Sequence, residues 1–321
     1  MKKIILFILP FACWNCEKKE LPAPAYDRGN LIVSQVDMGS NYKNQLWFSF
    51  GENRVVSTNR RTDWDLAFEA SADGSRLMLN GSKGMKVFKT SYTDLMQVSD
   101  TTGMEANARI DAPSGKADST AFGNWNSPNT VYILDGGYDE TGIHQGFYKL
   151  KMRTAGSLSY SFEYALLSGG QVMERSVNKN NDYNVVMFSL SSGHEVYIEP
   201  KKSDYDICFT YYTHFFTNPF QYYQVAGVLQ NPHRTRTLCI RDKPFAEITL
   251  ADTLGRLFST NRNAIGYDWK EFSLNTNQYT VHSNYSYIFQ DSKGYFYKLH
   301  FVDFYTSTGV KGAPKFEFKK L

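Results

Sequence analysis

Phe147-Tyr148-Lys149-Leu150-Lys151-Met152 and Phe296-Tyr297-Lys298-Leu299-His300-Phe301 are two versions of one stretch, and their reading decides the fold. In Tyr297-Lys298-Leu299-His300-Phe301 alternate residues are aromatic or aliphatic and those between are polar, the pattern of a strand with one buried side. Three further blocks repeat in the same order. Leu46-Trp47-Phe48-Ser49-Phe50 is echoed by Val186-Met187-Phe188-Ser189-Leu190, Trp64-Asp65-Leu66-Ala67-Phe68 by Tyr205-Asp206-Ile207-Cys208-Phe209, and Phe162-Glu163-Tyr164 by Phe316-Glu317-Phe318. The first two of these pairs lie about 140 residues apart. Matched blocks in one order predict two tandem, related antiparallel β domains, residues 31–170 and 171–321, divided in the Ser/Gly stretch near Gly169-Gly170. Asp291-Ser292-Lys293-Gly294 and the Gly-rich run from Asp135 to Gly142 occupy corresponding places as hairpin turns, because they supply residues that tolerate positive φ. Trp64-Asp65 and Tyr205-Asp206 give the aspartates a structural task at a strand start.

Composition agrees with an all-β class. The 22 Tyr and 23 Phe favour pleated, half-buried surfaces, and 42% hydrophobic content over 321 residues can fill two cores. Helices are expected to be few and short, with Thr93 to Met104 the best place for a turn or two. A formal charge of +3 with interleaved signs offers no dense Lys/Arg run to neutralise a phosphate backbone, so no nucleic-acid partner is expected.

The first residues read as a targeting device. Lys2 and Lys3 form a basic start and Ile4 to Ala12 an apolar run of secretory length, too short to span a bilayer. Ala12-Cys13, a small residue before a cysteine, resembles a lipobox; Cys16 is the rival acceptor, and a plain signal peptide without lipid stays open. Residues 1–16 are then a signal peptide with lipobox and 17–30 a tether, in an exported chain held by lipid at the outer membrane or cell surface.

Catalysis is not expected. There is no GxSxG elbow, Walker loop or GxGxxG opening a helix. Asp135, Asp139 and Glu140 could be imagined as an acid/base pair or a calcium loop, but their Gly-rich setting reads as a solvated hairpin. No CxxC or HExxH spacing supports a zinc site. Cys208 and Cys239 sit in strand-like contexts, as a disulfide or as two buried thiols.

Gln35-Val36-Asp37-Met38-Gly39, Leu46 to Phe50, Trp64 to Phe68 and Leu79-Asn80-Gly81 resemble the opening of HmuY-family proteins, haem-binding surface lipoproteins. Ile265-Gly266-Tyr267-Asp268-Trp269-Lys270, Tyr287-Ile288, Gly294 to Phe304 and Lys311-Gly312-Ala313-Pro314-Lys315-Phe316-Glu317 resemble the family's closing strands, so the likeness covers most of residues 30–321. The resemblance implies an all-β lipoprotein for iron acquisition, which holds haem at the surface and passes it to a TonB-dependent outer-membrane receptor.

Haem iron takes His, Met, Tyr or Cys donors in an apolar cleft, with basic groups for the propionates. The resemblance implies a histidine directly after a Trp-x-x-Phe-Ser strand, but Trp269-Lys270-Glu271-Phe272-Ser273 is followed by Leu274. A second ligand is implied upstream of Phe245-Ala246-Glu247-Ile248-Thr249, near His233; His282 could replace the missing donor. His214 lies in the ring-rich segment of Tyr211, Tyr212, Phe215, Phe216, Tyr222 and Tyr223, which suits a flat hydrophobic ligand such as a porphyrin or a sugar face, or else fills a core. Met78 and Met85 could donate thioethers but read more simply as core. His144, His194 and His300 read as solvated. Three functions remain open at this point: haem or tetrapyrrole binding, glycan or apolar-ligand binding on the same scaffold, and protein contact with an outer-membrane receptor.

Overall fold

The computed structural model describes residues 29–125 and 130–321. The expected signal peptide, with Cys13 and Cys16, and the expected tether up to residue 28 lie outside the described residues.

Strands dominate and form four main sheets. The first outer sheet has the order β10 (Met173–Asn178), β9 (Ser159–Leu166), β8 (Phe147–Ala155), β7 (Val131–Asp135), β6 (Lys86–Lys89). The first inner sheet is β12 (His194–Val196), β11 (Val185–Ser189), β4 (Leu66–Glu69), β5 (Leu77–Leu79). The second inner sheet is β14 (Phe220–Gln230), β13 (Ile207–Thr217), β2 (Asn44–Ser49), β3 (Arg54–Arg60). The second outer sheet is β1 (Ile32–Gln35), β20 (Lys311–Lys320), β19 (Phe296–Tyr305), β18 (Ser286–Gln290), β15 (Arg236–Ile240). A separate hairpin joins β16 (Lys270–Ser273) to β17 (Gln278–Val281).

Three cores order these sheets as a stack. Leu66, Phe68 and Phe188 meet Tyr160, Phe162 and Tyr164 between the first outer and first inner sheets. Trp47 and Cys208 meet Ala67 and Met187 between the two inner sheets. Phe48 and Phe209 meet Tyr287, Phe301 and Phe316 between the second inner and second outer sheets. The period-two alternation expected of every block therefore holds in outer strands such as β9, and fails in β2 and β11, whose runs are buried almost without interruption. Inner sheets are covered on both faces, so both sets of alternate residues must be apolar.

The repeated blocks pair crosswise. β2 pairs with β13 through Phe48 and Ile207, while β11 pairs with β4 through Val186 and Phe68. Consequently β4 to β12 build one pair of sheets, and β1 to β3 join β13 to β15 and β18 to β20 in the other. The expected boundary at 170–171 falls between β9 and β10, which pair with each other. The hairpin turns at 135–142 and 291–294 lie where expected, and the region from Thr93 to Met104 holds a 3-10 turn (Leu95–Gln97) and the start of a four-residue α-helix (Met104–Asn107).

Candidate functional site

The inner sheets do not close on each other completely. Trp47, Trp64, Met78, Met187, Cys208 and Thr210 line a cavity of about 100 Å³ between them. It adjoins a wider cleft of about 370 Å³ bordered by Arg76, Tyr183, Lys202, His233, Arg234 and Arg262. Met78, Gly115, Val185, Glu199 and Arg262 belong to both, so the two spaces share a neck.

Arg262 is held at that neck by backbone. Its amide donates to Ser114 O at 2.9 Å, and a Cβ on Gly115 would lie 2.5 Å from its Cδ, so only glycine leaves room for the stem. Its buried Nε has no hydrogen-bond partner among the described residues. A buried carboxyl, Glu199, and a half-buried one, Asp111, lie within its field. Glu199 accepts from the Tyr205 hydroxyl at 2.5 Å and Asn184 Nδ2 at 2.6 Å, and burial pushes its carboxyl up. Asp111 accepts the Leu79 and Ala121 amides, each at 2.6 Å, and burial raises it to about 6. At the cleft's edge burial pushes the Glu69 carboxyl up, but Arg76, paired with it at 2.8 Å, outweighs this and holds it low. Arg76, Lys202, Arg234 and Arg262 thus face Glu69 and Glu199, which leaves the cleft an excess of cationic groups.

His233 borders this cleft in the turn after β14, its amide donating to Asn231 Oδ1 at 2.9 Å. Burial, with Lys202 and Arg234 nearby, pushes the imidazole down, so it is neutral at pH 7 and able to ligate a metal. Met78, half-buried on β5, lines both spaces and is not simple core; Met85 is core.

The other two histidines lie elsewhere. His214, on β13, sits against Phe216 and Tyr267 at 5.0 and 4.8 Å between ring centroids. Its buried Nδ1 has no partner among the described residues, and burial pushes the ring down against the opposing pull of Asp268. His282 follows β17, with its amide on Trp269 O and its ring 4.7 Å from Tyr285. Neither borders the cavity or the cleft.

The aromatic segment divides. Tyr211 and Tyr212 line the inner cavity, with Tyr211 stacked on Tyr42 at 5.5 Å, whereas Phe216, Phe220, Tyr222 and Tyr223 stand exposed toward the hairpin end. Phe215 packs on Phe220 at 5.9 Å, and Lys86 Nζ stands 5.3 Å from the Tyr222 ring.

Two histidines expected to be solvated are not. His300 stacks on Phe245 at 3.8 Å and bonds Glu317 at 2.9 Å, because Phe245 folds back over its strand; His144 bonds Asp135 at 2.8 Å. Asp139 accepts turn amides of Thr141 and Ile143, and Glu140 pairs with Arg60. Cys208 is a buried free thiol and Cys239 an exposed one. Leu274 is 88% exposed in the β16–β17 turn. Arg262 and Lys202 were not marked by the sequence, since they come from distant segments and carry no local motif, and Trp47 and Trp64 were marked there only as strand residues of the repeated blocks.

Solved structures that align with this chain include apo PinO from Porphyromonas gingivitis, at 9% identity over 91% of this chain and 98% of that one, TM-score 0.36. The apo HmuY analog of Tannerella forsythia aligns at 10% identity over 92% and 98%, TM-score 0.23. A Bacteroides vulgatus protein assigned as a HmuY-like haem binder aligns at 10% over 91% and 95%, TM-score 0.25. No curated protein matches the sequence. The model of the HmuY protein family matches residues 41–318, nearly the whole described fold, and the chain belongs to the HmuY family.

Proposed function

We propose that this chain is an exported, lipid-anchored surface protein that binds haem or a related tetrapyrrole in the cleft between its inner sheets and hands it to a TonB-dependent outer-membrane receptor. The observation that carries the reading is that His233 and Met78, two donor types haem iron accepts, border one cleft with Arg76, Lys202, Arg234 and Arg262. Those cations suit propionates, and Trp47, Trp64 and Met187 supply an apolar inner wall. Binding, rather than catalysis, is the work such a site can do.

Titration of the chain from Glu17 onward with haemin, followed at the Soret band, tests this. A saturable, sharpened band is expected, lost in His233→Ala or Met78→Leu and retained in His214→Ala and His282→Ala. A weak band unchanged by all four substitutions rejects the cleft.

The exposed rings of the β13–β14 hairpin favour a second reading. Phe216, Phe220, Tyr222 and Tyr223 offer an open stacking face with one histidine, suited to a sugar ring without iron. Oligosaccharide binding lost in Tyr222→Ser with Tyr223→Ser, together with no haemin saturation, would select it.

A further inference from the structure

The second outer sheet turns one face to its core; the other is covered over β15 and β18 by the segment around Ile248, which packs on Leu238, Ile240 and Ile288, and is open at β1. Leu31, just before β1, and Val33 on it are exposed, while Ile32 between them packs inward. Val33 pairs with Glu317, Glu317 with His300, and His300 stacks under Phe245, so these groups share one continuous face. The segment after Phe245 is pinned over the same face by Lys298, whose Nζ donates to the carbonyls of Phe245, Ala246 and Ile248 at 2.9–3.1 Å. It leaves Leu254 79% and Leu257 94% exposed. Lys315 and Lys319 alternate with the buried Phe316 and Phe318, which places them on this face, and neither is in an ion pair among the described residues.

We infer that this face, with Leu31, Val33, Leu254 and Leu257 beside Lys315 and Lys319, rests on an anionic lipid surface. The inference rests on the reading of the chain as exported and lipid-anchored. β1 is the first described strand, and Leu31 stands 15 residues after Cys16 in the sequence, so an acyl group on Cys13 or Cys16 would tether the molecule at the end of the chain that enters this strand. An anchor alone fixes only where the chain starts. Leucines that enter the headgroup boundary, with lysines reaching phosphates around them, would fix which face lies down. Leu254 and Leu257, three residues apart in one loop, are exposed and gain by leaving water.

The test uses the chain from Glu17 onward, which lacks both acceptor cysteines and keeps every described strand. It is sedimented with vesicles of phosphatidylcholine alone and of phosphatidylcholine with phosphatidylglycerol. Association with the anionic vesicles is expected, weakened roughly tenfold by Leu254→Ser with Leu257→Ser. Lys315→Glu with Lys319→Glu should weaken it on anionic vesicles, and added salt should do the same. Leu158→Ser, an equally exposed leucine in the β8–β9 turn of the opposite outer sheet, should leave it unchanged. No association of the wild type, or an equal loss from Leu158→Ser, overturns the inference. So does a lipid-free dimer that the Leu254/Leu257 pair abolishes, since a second copy would then be what covers this face. The mass of the mature protein reports acylation separately, so a failed anchor and a failed docking face give different results.

Discussion

Asp65 and Asp206 hold the same place in two regions of the molecule, and their surroundings match atom for atom until the counter-charge is reached. Asp65 donates its amide to Phe188 O at 2.9 Å and accepts the Leu190 amide at 2.7 Å; Asp206 donates to Phe48 O at 2.8 Å and accepts the Phe50 amide at 2.7 Å. Each carbonyl accepts from an asparagine amide, Asn80 or Asn231, at 2.9 Å. The side chain of Asn80 then donates to Arg61 O and Trp64 O, as that of Asn231 does to Lys202 O and Tyr205 O. Beyond this the regions part. Asp65 makes a buried ion pair with Lys83, whereas Asp206 has no cation within ion-pair distance among the described residues. Burial, with Asp291 nearby, raises Asp206 to about 6. The backbone task of the carboxylate can therefore be kept while its electrostatic solution changes.

The largest expected effect breaks the ion pair. Lys83→Met leaves a buried carboxylate unpaired and should cost roughly 3–5 kcal/mol in chemical denaturation at pH 7. Much of the loss should return when Asp65→Asn is added. A loss below about 1 kcal/mol would mean that the two aspartates are not electrostatically different after all.

A smaller effect of opposite sign is expected at Asp206. Its folded pKa lies above its unfolded value, so its contribution is fully present below about pH 4 and is lost as pH rises through about 6. Asp206→Asn keeps an oxygen for the Phe50 amide and removes the charge. The variant should match or exceed the wild type by up to about 2 kcal/mol at pH 7.5 and lose that advantage by pH 4. Asp111 and Glu199 shift in the same direction, so the difference between variant and wild type is the quantity to follow. A difference independent of pH would remove the contrast.

The aspartates were legible in the sequence because Trp-Asp and Tyr-Asp recur before an apolar strand, and a repeated polar residue in an apolar frame signals a fixed hydrogen-bonding task. The crosswise pairing of β2 with β13 and β11 with β4 was not, since each block reads alike whichever copy it joins and pairing is decided by packing at long range. The candidate site was legible only in part. His233 was placed by family resemblance, but Met78 carries the same local signature as a core methionine, and Arg262 stands in Asn261-Arg262-Asn263 with nothing to mark it. Only the stacking of the inner sheets turns these residues toward one space.

A last contrast concerns the strands that begin at the two aspartates. β4 and β5 have four and three residues, whereas their counterparts β13 and β14 have eleven each, with His214 and the rings in the added length. The first region shows that the core does not require the extension, and in the second Ile207, Phe209, Ala226 and Val228 carry the packing while Phe220, Tyr222 and Tyr223 remain exposed. Phe220→Ser and Tyr222→Ser should therefore each change stability by less than about 0.5 kcal/mol, as surface substitutions do. Measured by thermal unfolding, a loss well above 1 kcal/mol from either would mean that the rings pack against the body and belong to the fold. A negligible loss would leave them as side chains whose retention in water calls for a ligand or partner.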